Sequence, residues 1–453
     1  MTKNKLLTPI LLGTTILSTA AFADNLITGE SGKCGSTDAQ CHYEITNGVL
    51  TITGNAFISS KPWKNISGYK TGITSVIIEN GITGITNNAF DEITSLKSVV
   101  IPNSVKTINN AAFHYAPSLE SVTFETGSQL TTLASNAFSY SPSLKSIDLP
   151  ESLTGTLGSF QGTGLTSIVI PSKVTQLDNS CFKDATSLES VTLPDSLTYI
   201  PQYGFQNTSL KSIDIPKNVT TIQGMAFKDI SSLENITFAS DSKLREINTN
   251  AFENATSLKS INIPASVTQL GGYLFKGSGL ESITFDEGSK LTSIPNYLFW
   301  DASNLKSVML PDSITSVGWA AFSGVPSTAT VYCQEGGNKH GGKSCSELFT
   351  ANSSFTGTIQ LYAKDTNGNM ILYDKDETTG EITSNGKKYA SIDHLIAGRA
   401  MHEIQQIENS DGSVYLYDEN GNLIGIKGKR IYTVEEAARL SKPTGNTFKL
   451  RYK

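Results

Sequence analysis

A chain of 453 residues is longer than one hydrophobic core usually supports, so its length predicts several domains or an array of repeats. Charged residues make up 17% of the sequence, too few for a coiled coil, and hydrophobic residues make up 38%, too many for a disordered chain. The net charge of -6 disfavours nucleic acid as a partner, because the phosphate backbone attracts basic surfaces.

Residues 1–23 have the composition of a secretory signal peptide. Lys3 and Lys5 give a positive start, an apolar stretch follows, and the last three residues match a small-x-small cleavage site. Beyond residue 22 no run approaches about 18 apolar residues, so we expect no transmembrane helix. We expect cleavage after Ala23 and export to the cell surface or the medium, with the periplasm as the alternative location.

Four of the five cysteines form two pairs that are close in sequence. The pairs are Cys34 with Cys41 and Cys333 with Cys345. Each pair brackets a glycine-rich stretch that a disulfide can close, and export favours disulfides. Metal ligation is the alternative because His42 and His340 lie nearby, but two thiols and one histidine fall short of four zinc ligands. We therefore expect two disulfides, no metal site and no cofactor.

The middle of the chain repeats one motif with a period of about 23 residues. Two examples are SVVIPNSVKTINNAAF, ending at Phe113, and SINIPASVTQLGGYLF, ending at Phe275. The phenylalanines that close the eleven units are Phe90, Phe113, Phe138, Phe160, Phe182, Phe205, Phe227, Phe252, Phe275, Phe299 and Phe322. A fixed period of this length predicts a solenoid, in which each unit buries its apolar face only against its neighbours.

Alternating hydrophobicity within a unit predicts a short strand. Leu96, Val99 and Ile101 are expected to point inward, and Ser98 is expected to point outward. The proline that follows ends the strand, because it cannot donate a hydrogen bond to a neighbouring ladder. The Ala-Phe pair then closes the unit. Cys181 replaces that alanine in its unit, so we expect it to pack as a small hydrophobe.

Two columns of polar residues recur beside the inward positions. The first comprises Lys97, Glu120, Lys145, Thr166, Glu189, Lys211, Glu234, Lys259, Glu281 and Lys306. Because adjacent strands lie about 4.8 Å apart, we expect these alternating charges to face each other and to fix the register. The second column is nearly all serine, from Ser75 to Ser307. No histidine base accompanies it, so a serine nucleophile is not indicated.

The repeats share the pattern S-[VI]-x-[IL]-P-x-S-[VL]-x-x-[IL]-x-x-x-A-F, which resembles the BspA-like (Treponema pallidum-type) leucine-rich repeats of bacterial and protist surface proteins. The resemblance covers residues 33–333, including an N-terminal cap. It implies a repeat solenoid of short parallel strands with irregular outer turns, and binding or adhesion to host matrix or to other cells. The expected divisions are a signal peptide (1–23), an N-terminal cap (24–72), repeats (73–325), a C-terminal cap loop (326–349) and a C-terminal module (350–453).

The C-terminal module has a different composition and predicts a small α+β domain. Asn-Gly turns between apolar runs predict hairpins at 361–373 and 414–426. Apolar residues at helical spacing predict a helix over 391–407, and a capping box predicts a second helix over 433–440. Residues 427–453 contain eight basic and two acidic side chains, so they provide a surface that can associate with an anionic envelope, or a solvated edge.

The histidines of this module do not predict a metal site. His394 and His402 fall in the predicted helix beside Glu403, but they are eight residues apart, which is not the i, i+4 spacing of a zinc-binding pair. The module also lacks a phosphate-binding glycine loop and a nucleophile motif. We therefore expect no enzymatic activity.

Aromatic residues that the core does not need are the candidate partner-binding residues. Tyr273 and Tyr297 share one repeat position, and Trp300 follows a closing phenylalanine, so neighbouring rungs would bring the three together. The alternative is that they cover hydrophobic edges of the solenoid. We expect a non-catalytic interaction or adhesion protein whose partner is a protein or a cell-surface macromolecule. The alternative is a periplasmic or extracellular scaffold whose C-terminal module mediates assembly or export.

Overall fold

The computed structural model describes residues 26–35, 40–335, 339–349, 353–389 and 391–398, and the backbone of three strands between 405 and 426. The predicted signal peptide, the predicted helix at 433–440 and the basic segment 427–453 lie outside these residues. The described chain is a parallel β-solenoid with few helices, followed by strands and a short helix, so the predicted fold class is confirmed. None of its helices is long and apolar enough to cross a membrane.

Most rungs of the solenoid contribute one strand to each of two columns of parallel strands. The first column contains Ser75–Ile78, Ser98–Ile101, Ser121–Phe124, Ser167–Val169, Ser190–Thr192, Ser212–Ile215, Asn235–Phe238, Ser260–Ile263, Ser282–Phe285, Ser307–Met309 and Thr330–Cys333. The second column contains Phe57–Ile58, Gly84–Ile85, Thr107–Ile108, Thr132–Leu133, Gly155–Leu157, Val174–Leu177, Tyr199–Ile200, Thr221–Ile222, Glu246–Ile247, Gln269–Leu270, Ser293–Ile294 and Ser316–Val317. Each column is divided into several hydrogen-bonded sheets, and wherever one column is interrupted between two rungs the other pairs across them.

The register between rungs follows the repeat. Ser75 lies opposite Ser98, which in turn lies opposite Ser121, so the predicted serine column is confirmed. Leu96, Val99 and Ile101 are buried, as the alternation predicted. No strand forms at residues 145–149, and the second column shifts register after Gly155, so the fourth rung is irregular.

The closing phenylalanines form a ladder along the core. From Phe90 to Phe299 the centroids of successive rings are 4.7–6.2 Å apart, and the ring planes lie within 13° of parallel. Trp63 stacks on the first ring at 4.6 Å, and Phe355 contacts Phe322 at the other end at 5.0 Å. Each such pair contributes about 0.5–1.5 kcal/mol beyond the area it buries. The ladder thus links all rungs into one core.

Antiparallel strands lie at both ends of the solenoid. At the start, Glu30–Lys33, Cys41–Thr46 and Val49–Gly54 form an antiparallel sheet whose third strand pairs in parallel with Ser75–Ile78. A four-residue helix, Tyr69–Gly72, precedes the first repeat strand.

At the other end, the repeat sheet continues across the expected boundary at residue 350. Thr330–Cys333 pairs in parallel with Thr358–Lys364. The next strands, each antiparallel to the one before, are Met370–Lys375, Ile382–Ser384 and Lys387–Tyr389. Between the two parallel strands lie a 3-10 helix, Lys339–Gly342, and a helix, Cys345–Leu348. The first strands of the C-terminal module are therefore joined to the last repeat by backbone hydrogen bonds.

The C-terminal hairpins are confirmed, but the helix predicted over 391–407 is wrong in extent. Residues Ile392–Ile396 are helical, whereas Gln405–Glu408 is a strand paired with Val414–Tyr417, which pairs with Leu423–Ile426. Gly398 explains the early end, because its φ of 67° is left-handed and its amide donates to the Leu395 carbonyl.

Candidate interaction surface

Three predicted aromatic residues meet on the solenoid surface. The rings of Tyr273 and Tyr297 stack with centroids 4.4 Å apart and planes 8° from parallel. Trp300 lies tilted against both, 5.0 Å from Tyr297 and 6.2 Å from Tyr273. All three side chains are half-buried. Adjacent rungs therefore bring these residues together in the way their repeat positions suggested.

Trp319 joins this group, although it was not among the residues predicted from the sequence. Its ring stands edge-on to Tyr297 at 4.9 Å and 87°, and the residue is 52% exposed. The two residues are neighbours across rungs, because the Tyr297 amide donates to the Trp319 carbonyl at 3.1 Å. Trp319 directly precedes Ala320, which occupies the repeat position of Tyr273 and Tyr297. This adjacency in the sequence could have indicated that Trp319 lies beside the tyrosines. We call Tyr273, Tyr297, Trp300 and Trp319 the aromatic patch.

The tyrosines of the patch occupy a backbone position that does not favour them. Tyr273 and Tyr297 have φ of 56° and 59°, in the left-handed region. Equivalent residues with positive φ are Asn88, Ala111, Asn136, Ser180, Tyr203, Met225, Asn250 and Ala320. A bulky side chain at such a position costs about 1–2 kcal/mol, whereas asparagine tolerates it. The turn therefore does not require these tyrosines, and they do not enter the phenylalanine ladder.

The patch itself is uncharged, but a charged cluster borders it. Lys276 places its ammonium 5.9 Å from the Tyr273 ring centroid and 3.1 Å from Glu253 Oε1. Lys228 binds the other oxygen of Glu253 at 2.6 Å. Burial alone would raise the pKa of Glu253, but the hydrogen bonds from the two lysines outweigh it and lower the pKa. Burial and the neighbouring Tyr273 raise the pKa of Tyr297, so its hydroxyl stays neutral at physiological pH.

The predicted charge column forms ion pairs at two places. Lys211 binds Glu189, and Lys306 binds Glu281, each at 2.6 Å. The hydrogen bond from Lys306 lowers the pKa of Glu281. The charge of Lys259, on the preceding rung, lowers it further. The other neighbouring residues of the column, all within the described chain, form no ion pair within 4 Å. The column therefore pairs charges locally rather than continuously.

The structure bonds the four paired cysteines in the two expected combinations. The disulfides are Cys34–Cys41 and Cys333–Cys345. Cys181 is a buried free thiol whose pKa burial raises to about 12, so it is an inert packing residue. His42 is exposed, whereas His340 is fully buried beside Cys333. His394 contacts the helix-capping Ser391 through Nδ1 at 2.8 Å, and His402 and Glu403 lie outside the described residues.

Comparison with known proteins places these features in a family. The family model described as the BspA type leucine rich repeat region matches in six copies over residues 64–159, 156–278 and 238–345. None of the curated proteins matches the chain significantly.

Several crystal structures of bacterial leucine-rich repeat proteins are similar to this chain. One from Bacteroides ovatus is 20% identical, with 72% of this chain and 99% of that chain covered and a TM-score of 0.46. One from Eubacterium ventriosum is 21% identical, with 66% and 95% covered and a TM-score of 0.43. A leucine rich cell surface protein from Faecalibacterium prausnitzii is 23% identical, with 76% and 98% covered and a TM-score of 0.40.

The repeat model covers well over half of the sequence, and the fold is the solenoid of short parallel strands that the repeat pattern implies. The chain belongs to the BspA-type leucine-rich repeat family.

Proposed function

We propose that this chain is an exported, non-catalytic interaction protein that attaches to host matrix or to other cells through its solenoid. The aromatic patch is the contact surface in this proposal, and it is the observation that carries it. The leader-like composition of residues 1–23 supports export. The basic segment 427–453 offers a means of association with an anionic envelope.

The patch has the properties of an anchor for a protein partner. Tyrosine and tryptophan dominate binding hot spots, because they bury large areas while losing few rotamers. Trp319 still exposes 52% of its surface, so a partner can remove more of it from water. The left-handed turn accepts asparagine at equivalent positions, so the fold does not require tyrosine at 273 and 297.

The repeat columns supply variants that remove the patch and keep the turn. In the double variant Tyr297→Asn, Trp319→Asn, the first change uses the residue found at equivalent positions 88, 136 and 250. Two hot-spot residues contribute about 2 kcal/mol or more each, so binding to immobilised matrix proteins or intact cells should weaken at least about 700-fold.

Tyr203→Asn is the matched control. It changes the same repeat position, with φ of 57°, but its ring contacts the ammonium of Lys183 rather than another aromatic ring. The control should bind like the unmodified chain. Equal binding by all three proteins, with circular dichroism showing intact folds, would rule out the patch as the contact.

A separate experiment tests location and distinguishes an adhesin from a scaffold. Intact producing cells are treated with protease, and the repeats and the tail are detected with separate antibodies. Removal of the repeats while an internal envelope protein survives supports outward display. Survival of the chain until the envelope is opened contradicts adhesion and favours a periplasmic scaffold. The scaffold alternative is supported by the sheet that joins the last repeat to the C-terminal module.

A further inference from the structure

The last repeat contains a buried cluster of three residues that can ligate metal. Cys333, His340 and Cys345 are each 0% exposed. One ligand atom from each of them lies within 4.8 Å of the other two. Cys333 Sγ is 3.4 Å from His340 Nε2. Among the described residues this is the single group of histidine, cysteine and carboxylate side chains with such a geometry.

The hydrogen bonds of His340 orient its second nitrogen toward the sulfurs. Nδ1 lies 2.8 Å from the carbonyl oxygen of Ile314, and Nε2 lies 3.0 Å from the carbonyl oxygen of Gln334 on the same side as Cys333 Sγ. A neutral imidazole donates through one nitrogen only. A proton on Nδ1 satisfies the shorter of the two carbonyl contacts and leaves the lone pair of Nε2 on the side of Cys333 Sγ.

The backbone holds the imidazole in this place at some cost. His340, Gly341 and Gly342 have φ of 55°, 65° and 82°, so three successive residues are left-handed. The amide of His340 donates to the Asp312 carbonyl at 2.8 Å, which fixes the turn against the preceding rung. A non-glycine residue in this region costs about 1–2 kcal/mol, and such strain persists where surrounding contacts determine the conformation.

We propose that Cys333, His340 and Cys345 bind a thiophilic d10 metal ion, Zn²⁺ or Cu⁺, when the Cys333–Cys345 disulfide is reduced. A dithiol delivers two electrons and two protons, breaking the S–S bond to give two thiols while it becomes a cyclic disulfide; a phosphine with water does the same and becomes a phosphine oxide. The metal ion then displaces both thiol protons and is bound by two thiolates and Nε2. Soft thiolates and imidazole select such ions.

The surroundings match what a metal-binding histidine requires. The contact between Nδ1 and the Ile314 carbonyl is the outer-shell hydrogen bond that fixes the tautomer of a ligating imidazole. The sequence alone predicts no metal site here, because two thiols and one histidine fall short of four zinc ligands. Three protein ligands are sufficient for Cu⁺, and Zn²⁺ completes its shell with one water. Disulfide and metal ion use the same sulfurs, so each excludes the other.

The test titrates the full chain, reduced with a phosphine, with Zn²⁺ and separately with Cu⁺ against a chromophoric chelator. We expect one equivalent of one of these ions to bind, and the ion that binds identifies the site's preference. His340→Ala should weaken binding by at least about tenfold, the lower bound for losing even an outer-shell partner. The matched control, Cys34→Ser with Cys41→Ser, should bind like the unmodified chain.

A second readout needs no substitution in the cluster. Bound metal should protect Cys333 and Cys345 of the reduced chain from alkylation, measured by peptide mass spectrometry, and leave Cys34 and Cys41 unprotected. The proposal is overturned if neither ion binds, if His340→Ala binds as tightly as the unmodified chain, or if the Cys34 and Cys41 changes abolish binding. Equal alkylation of both pairs, or loss of the fold on reduction, overturns it as well.

Discussion

The phenylalanine ladder makes a quantitative prediction at its centre. Phe205 is fully buried, with ring centroids 5.4 Å from Phe182 and 5.5 Å from Phe227. Phe205→Leu keeps an apolar side chain in the core but removes both ring pairs. At about 0.5–1.5 kcal/mol a pair, the substitution should lower the free energy of unfolding by about 1–3 kcal/mol beyond the loss due to the change of shape.

Phe238→Leu is the matched control for that loss. Phe238 ends a strand of the first column and packs, partly buried, against the same core. It lies outside the ladder, and within the described residues it stacks on no other ring. The difference between the two variants therefore reports ring stacking together with the deeper burial of Phe205.

Urea unfolding followed by far-UV circular dichroism measures both free energies, provided that the slope with denaturant stays the same. Neighbouring rungs unfold together in a repeat array, so the loss should appear as a shift of the main transition. Equal losses for Phe205→Leu and Phe238→Leu would refute the reasoning, because stacking would then add nothing to burial.

Three further predictions concern single side chains. Because the folded pKa of Glu253 lies below its ordinary value of 4.5, its stabilising contribution is present above pH 4.5 and disappears as the pH falls through the folded pKa. Glu253→Gln should flatten that part of the pH dependence in urea unfolding, and an unchanged profile would contradict the assignment. Cys181 should react with a chromogenic disulfide reagent only in denaturant, and rapid labelling of the native chain would disprove its burial. Lys211→Glu places a like charge beside Glu189, so at low salt it should lower the thermal midpoint more than Lys145→Glu does, whereas equal effects would argue against the ion pair.

The repeated features were predictable because each was visible many times in the sequence. The period placed Phe205 and Leu96 in the core, and the shared repeat position placed Tyr273 beside Tyr297. Trp319 was not predicted, because it and its neighbour Tyr297 occupy repeat positions that differ by one residue.

Features that depend on a few backbone angles were not predictable from pattern alone. Apolar spacing suggested a helix over 391–407, but a left-handed Gly398 ends it after Ile396. Spacing also suggested that Cys333 and Cys345 bracket a loop, without indicating where His340 would lie. Three successive left-handed residues turn its imidazole into the core, and only the fold shows which nitrogen faces the sulfurs.

The antiparallel strands at the two ends bear on how the length of such a protein can change. Every interior rung pairs in parallel with neighbours of the same kind, whereas Cys41–Thr46 and Met370–Lys375 pair in antiparallel fashion. A unit inserted or deleted between the ends would meet compatible partners on both sides. Each insertion would lengthen the stack by about 4.8 Å and leave the two terminal sheets unchanged. The reach of the molecule is thus adjustable in single rungs, and gene duplication within the repeats is sufficient to adjust it.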